Sequence, residues 1–307
     1  MNFEDINKMI KSPMLSRGEK DAMKERVVKK IESEFEGVAP ALVHIAREII
    51  KQKPDQVIFL DKSARIFATP MRKFIREKVD AREIPAFKFI NDDVLRFQYY
   101  WIDKKKDGET YCINRQESET LETLDAETTK AFSFIKGKNT FVVDEMLSLG
   151  MELQLWMKAF QLEKKESPET KLSFFALSEY EKERRVVVAG ESFVRDAKED
   201  AGKMDGFNLF ISDYVPDTAL FSRRVPAFRY VGEDEDPKTG ELTGKILGAR
   251  SALSDYYDVK TREPKIPVLD DVPMERLEDH LSFLYEFVGK AKDLIYDKMI
   301  EADKKNN

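Results

Sequence analysis

Thr140-Phe141-Val142-Val143-Asp144-Glu145-Met146-Leu147-Ser148-Leu149-Gly150-Met151-Glu152 is the stretch on which the fold turns. Phe141-Val142-Val143 is a continuous apolar run, the pattern of a strand covered on both faces of a parallel sheet. Two acids close the run. Leu153, Trp156, Met157 and Phe160 then recur at helical spacing, so a short loop turns into a helix. Ligands of open α/β folds bind beyond the carboxyl ends of the strands. The free amides and dipole at a helix start attract phosphate. Acids placed just ahead of such a loop can hold ribose hydroxyls or share a Mg²⁺, so one short segment can grip a ribose phosphate at both ends.

Working upstream, Val57-Ile58-Phe59-Leu60 is a second unbroken apolar run, bounded by Pro54 and Asp61. The loop Asp61–Ala68 follows, opening with Asp61-Lys62-Ser63-Ala64-Arg65, and a helix is expected with Thr69 as cap and Pro70 in its first position. Met71, Phe74, Ile75 and Val79 form its buried stripe. Pro85–Ile90, Leu172–Leu177, Val186–Ala189 and Phe207–Ile211 read as further strands. Between them, residues 91–138 suggest a hairpin or small flap with a charged turn at Lys104–Gly108, then a helix ending near Gly137. Alternation of strands and helices across Gln56–Ile211 predicts an α/β fold: a mainly parallel sheet with flanking helices.

The flanks read as helical additions. Met23, Val27, Val28, Ile31 and Phe35 predict one N-terminal helix stopped by Gly37, and Leu42, Val43, Ile45, Ala46, Ile49 and Ile50 a second with Pro40 near its start. From Tyr214 the pattern is mixed. Gly232–Gly240 (GEDEDPKTG) reads as a hairpin tip, and a long helix is expected from Met274 to Met299, with frayed residues after Glu301. The expected organisation is a helical extension over 1–52, a core over 53–212 with its flap at 91–138, and a C-terminal segment over 213–307.

The 52 basic and 58 acidic residues leave a net charge of -6, which argues against a dedicated nucleic-acid binder, since those carry a basic excess. One cysteine, Cys112, excludes an intrachain disulfide and any cysteine-rich zinc site. With only His44 and His280 besides, Ser–His–Asp, Cys–His and His-ligated metal chemistry have too few partners. Chemistry here falls to carboxylates, basic side chains and backbone amides. With neither a signal-peptide pattern nor a run of about 18 apolar residues, a soluble cytoplasmic protein with no membrane contact is expected.

The 142–152 segment resembles the phosphoribosyl-pyrophosphate signature of type I phosphoribosyltransferases. Val142 and Val143 match its strand, Asp144 and Glu145 its acid pair, Met146 and Leu147 the two hydrophobics, Ser148 and Gly150 the loop. It departs at Glu145, where Asp is commoner, at Leu149, where Thr is usual, and at Glu152, where a hydroxyl residue normally meets the 5′-phosphate. Leu60-Asp61-Lys62-Ser63-Ala64-Arg65 is similar to the LDKSAR stretch of phosphoribosyltransferase-like proteins, in the place where that family cradles pyrophosphate.

The resemblance implies a protein that binds phosphoribosyl pyrophosphate or a nucleotide-like molecule with Mg²⁺, and transfers ribose 5-phosphate to a nitrogenous base. It implies that Asp144 and Glu145 hold the ribose hydroxyls and the metal. Met146, Leu147, Ser148, Leu149, Gly150 and Met151 would hold the 5-phosphate, and Asp61, Lys62, Ser63, Ala64 and Arg65 the pyrophosphate. Two other readings stand beside it. The departures at Leu149 and Glu152 suit a ligand sensor or regulatory protein that keeps the fold without catalysis. The apolar stripe of the helix at Met274–Met299, together with the N-terminal helices, suits a homo-oligomer interface.

Overall fold

The computed structural model describes residues 16–60, 64–90, 101–104, 110–113, 128–147, 151–179, 198–212, 232–235, 242–247 and 274–305. In chain order the elements are α1 (Arg17–Gln52), β1 (Gln56–Leu60), α2 (Arg65–Lys78), β2 (Ala86–Ile90), β3 (Trp101–Lys104) and β4 (Thr110–Ile113). β5 (Asn139–Leu147), α3 (Met151–Glu166), β6 (Lys171–Glu179), β7 (Phe207–Ile211), β8 (Gly232–Glu235), β9 (Leu242–Leu247) and α4 (Met274–Lys305) complete them. The five-stranded sheet has the order β2-β1-β5-β6-β7. β1, β5, β6 and β7 run parallel to their neighbours, as unbroken apolar runs demand. The predicted strand over Val186–Ala189 lies outside the described residues.

The chain divides into two compact units that do not follow chain order. One holds residues 53–61 and 90–215; the other holds 1–52, 62–89 and 216–307.

In the unit that carries β5, α3 covers one sheet face. Ile58, Leu60, Val142, Leu172, Phe174 and Ala176 form a cluster with Leu153, Trp156, Met157 and Phe160 of the helix. Alternate strand positions supply the opposite face, where Phe141 stacks on Phe175 at 5.1 Å and Phe175 on Phe210 at 4.6 Å. β3 and β4 pair antiparallel as the hairpin expected there. Gln56 begins β1 by donating from Nε2 to the Thr140 hydroxyl at 2.9 Å and the Phe134 carbonyl at 3.1 Å, which ties the amino ends of β1 and β5 to the turn at Ser133–Ile135.

Gly206 starts the return into β7 with φ 82°, and its carbonyl accepts the Leu172 N–H at 3.0 Å. A Cβ there would meet Lys164 Nζ at 2.8 Å and the Thr170 carbonyl at 3.5 Å. Gly206→Ala is therefore expected to cost about 1–2 kcal/mol in denaturant unfolding, the penalty of a left-handed residue. An unchanged midpoint would refute that account.

In the other unit, α1, α2 and α4 pack on one another. Here the structure corrects three expectations. α1 is one helix of 36 residues, with Gly37 and Pro40 inside it, both on the exposed side. Their intrinsic costs of about 1 and 3 kcal/mol are offset because Phe35, Val38, Ala39, Leu42, Val43, Ile45, Ala46 and Ile49 are all buried across the supposed break. α2 begins at Arg65, ahead of the predicted cap at Thr69, and Pro70 lies inside it. Burial of Ile66, Phe67 and Ala68 draws that extra turn into helix.

α4 does not fray after Glu301. It stays helical to Lys305 because Ala302 and Asp303 are buried, and Asp303 accepts from Arg47 Nη2 at 2.7 Å and Lys78 Nζ at 2.8 Å. β8 and β9 pair antiparallel, so Gly232–Glu235 is strand where a hairpin tip was expected, and residues 236–241 lie outside the described ones.

Candidate functional site at the carboxyl ends of the strands

β5 is the middle strand of the sheet. Its register sets Val143 opposite Phe59 of β1 and Asp144 opposite Ala176 of β6, and Ala176 is in turn opposite Ile211 of β7. β1 and β7 end level with Asp144 and Ala176, where the Ser212 N–H donates to the Ala176 carbonyl at 3.0 Å, while β5 and β6 stay paired out to Leu147 and Glu179, so the carboxyl rim of the sheet is stepped. Asp144 stands in the middle of that rim at 3% exposure, beside Leu60 and Ala176, which are each 1% exposed. Strand alternation puts it on the face of Val142, the face covered by α3.

Among the described side chains of this sheet, Asp144 is the buried ionisable one. The other buried polar side chains of the sheet, Gln56, Thr140 and Ser173, are uncharged and lie nearer the amino ends. Gln56 bonds Thr140, and Asn208 donates to the Ser173 hydroxyl at 3.3 Å. Burying a carboxylate costs several kcal/mol unless it is compensated.

The structure places the sequence-predicted residues as follows. Asp144, Glu145, Met146 and Leu147 all belong to β5, which continues past the acids instead of ending at them. Asp144 and Glu145 therefore occupy alternating strand positions. Met151 opens α3, so its backbone lies at the helix start, where amides lack intrahelical partners. Ser148, Leu149 and Gly150 lie outside the described residues, as do Asp61, Lys62 and Ser63. Ala64 is buried just ahead of α2, and Arg65 is the first residue of that helix.

β5, its loop and α3 are brought together as one unbroken segment in a single unit. The Asp61–Arg65 stretch begins where β1, the neighbour of β5, ends. No group of three or more metal-ligating side chains occurs among the described residues. Sequence reasoning found Asp144 but missed two buried acids, Glu163 and Asp303. Their helical spacing looks like that of any solvated acid, and only the neighbouring elements bury them.

No family model matches the chain, and no curated protein matches it. Among solved structures, it is similar to the purine phosphoribosyltransferase from Pyrococcus horikoshii Ot3, at 14% identity and a TM-score of 0.28, over 60% of this chain and 91% of that one. It is also similar to the HGPRT-ase from Leishmania tarentolae in complex with GMP, at 12% identity and a TM-score of 0.29, over 61% of this chain and 86% of that one. Scores at that level carry no structural correspondence, and the α/β assignment stands on the strand pairing itself. No described helix is long and apolar enough to cross a membrane.

Proposed function

We propose that the rim around Asp144 binds a ribose phosphate of the phosphoribosyl pyrophosphate or nucleotide class. The observation that carries this reading is a buried acid in the carboxyl-terminal half of the middle parallel strand, with a helix N-terminus only seven residues further on. In this reading Asp144 and Glu145 accept hydrogen bonds from the ribose hydroxyls. Backbone amides over Met146–Met151, with the Ser148 hydroxyl, take the 5-phosphate.

Mg²⁺ asks for one or two carboxylates together with ligand phosphate oxygens. Asp144 would supply one such carboxylate, and the ion would neutralise phosphate charge. In turnover, the bond from ribose C1 to pyrophosphate would break as a bond from C1 to a base nitrogen forms; pyrophosphate would leave with the electron pair, and the proton of that nitrogen would pass to solvent or to the pyrophosphate. A second reading, binding without turnover, is favoured by one observation. Glu152 is the second residue of α3, so its charge competes with phosphate for the helix start.

Calorimetry with phosphoribosyl pyrophosphate and Mg²⁺ tests the site. Asp144→Asn is expected to weaken binding about tenfold to a hundredfold, the loss of a hydrogen bond to a charged group. Asp144→Asn combined with Glu145→Gln should abolish the heat. A double variant that binds as tightly as the parent would sink the reading. Pyrophosphate release with a panel of bases separates turnover from binding alone.

A further inference from the structure

Glu163 lies in the last turn of α3, and its side chain has no exposed surface. Neither of its carboxyl oxygens has a hydrogen-bond partner. A charged carboxylate so placed has given up water and received nothing in return, the costliest arrangement open to the group. Two charged groups bear on it. Glu166 on its own helix opposes ionisation, and Lys136, beside the turn at Ser133–Ile135, favours it. Lys136 is already engaged, since its ammonium donates to Glu166. The β6 residues in the cluster under α3 are Leu172, Phe174 and Ala176, all apolar.

Glu163 also sits at a structural joint. Its backbone carbonyl accepts the Ser167 N–H at 2.9 Å, and the Ser167 carbonyl accepts the Thr170 N–H at 3.0 Å. The buried Thr170 hydroxyl accepts the Gly137 N–H at 2.9 Å. The end of α3, the lead into β6 and the lead into β5 therefore meet within one turn of Glu163.

We propose that Glu163 is a proton-operated fastener of this joint, seated as the neutral acid and expelled toward Lys136 when its proton leaves to solvent water. Burial pushes its carboxyl above the ordinary range, Glu166 adds to that, and Lys136 partly opposes it. The sign follows. With the folded value raised, the native state holds more protons than the unfolded chain between the two values. Stability is then full in mild acid and falls as pH rises through that window. The joint tightens on mild acidification, the reverse of an acid paired in an ion bridge.

Thermal unfolding of the full chain across mildly acidic to mildly alkaline buffers is the test, with the parent compared with Glu163→Gln. The amide keeps the shape of the neutral acid and cannot ionise. The variant is expected to unfold at a higher temperature than the parent in alkaline buffer, with the difference closing in acid. Equal slopes in the two proteins, or a variant less stable in alkaline buffer, would overturn the proposal. Should Glu163→Gln fail to fold, carboxyl carbon resonances of glutamate-labelled parent protein report the proton directly. One glutamate should titrate above about 4.3, the ordinary value. Its midpoint should fall in Glu166→Gln and rise in Lys136→Met. Absence of such a resonance, or a midpoint indifferent to both changes, would refute the fastener.

Discussion

Trp156→Ala is expected to destabilise the sheet-bearing unit by about 3–5 kcal/mol, the cost of emptying a large aromatic site in a packed core. Trp156 is fully buried, meets Phe132 edge-on at 4.9 Å and Phe134 at 6.3 Å, and belongs to the cluster that joins α3 to β1, β5 and β6. Its indole Nε1 is buried without a hydrogen-bond partner. The ring therefore contributes through packing, and an unpaired donor works against it. Trp156→Phe should accordingly lose much less, about 1–2 kcal/mol, because the smaller ring removes the unpaired N–H while keeping most of the contact. Equilibrium unfolding in denaturant measures both. If Phe proved as damaging as Ala, the packing account would fail. The helix anchored by Trp156 also presents Met151 to the proposed phosphate site, so the Ala variant should bind more weakly even in buffers where it stays folded.

Asp303→Asn is the second large effect, about 2 kcal/mol in the three-helix unit. The Asp303 side chain is 7% exposed, and it ties α4 to Arg47 of α1 and Lys78 of α2. Hydrogen bonds to charged groups contribute about 1.5–3 kcal/mol. The two cations are 39% and 42% exposed and can be rehydrated, which keeps the loss below that of a fully buried pair. The Lys78 hydrogen bond, then that of Arg47, holds the Asp303 carboxyl below its ordinary range against the opposing pull of burial. Here the folded value is depressed, so the native state holds fewer protons than the unfolded chain. The stabilisation is full above about 3.9, the unfolded value, and is lost as pH falls through the lower folded one. Thermal unfolding should show the parent and Asp303→Asn converging in strong acid. A constant gap at every pH would show that the carboxylate charge is not the source.

Glu163 and Asp303 respond to pH in opposite senses, and the difference lies entirely in their partners. One buried acid has two cations and the other has no hydrogen bond. Neither surroundings is visible in the helical periodicity of either segment, where both residues read as polar positions on an amphipathic face. The same blindness explains the errors at the helix ends. Gly37, Pro40 and Thr69 are genuine local signals, each worth up to a few kcal/mol, and the buried residues on either side outweigh them.

The residues alone indicated a mainly parallel sheet and placed Asp144 late in one of its buried strands, while the strand order that makes β5 central came from the fold. An unbroken run such as Phe141-Val142-Val143 is stable only with both faces covered, and that requirement is written in neighbouring residues. Tertiary structure alone decided which helix ends persist, which acids are buried, and how far β5 runs beyond Asp144. Those outcomes depend on residues distant in the chain that remove water from a side chain or supply its counter-charge, and no local pattern encodes them.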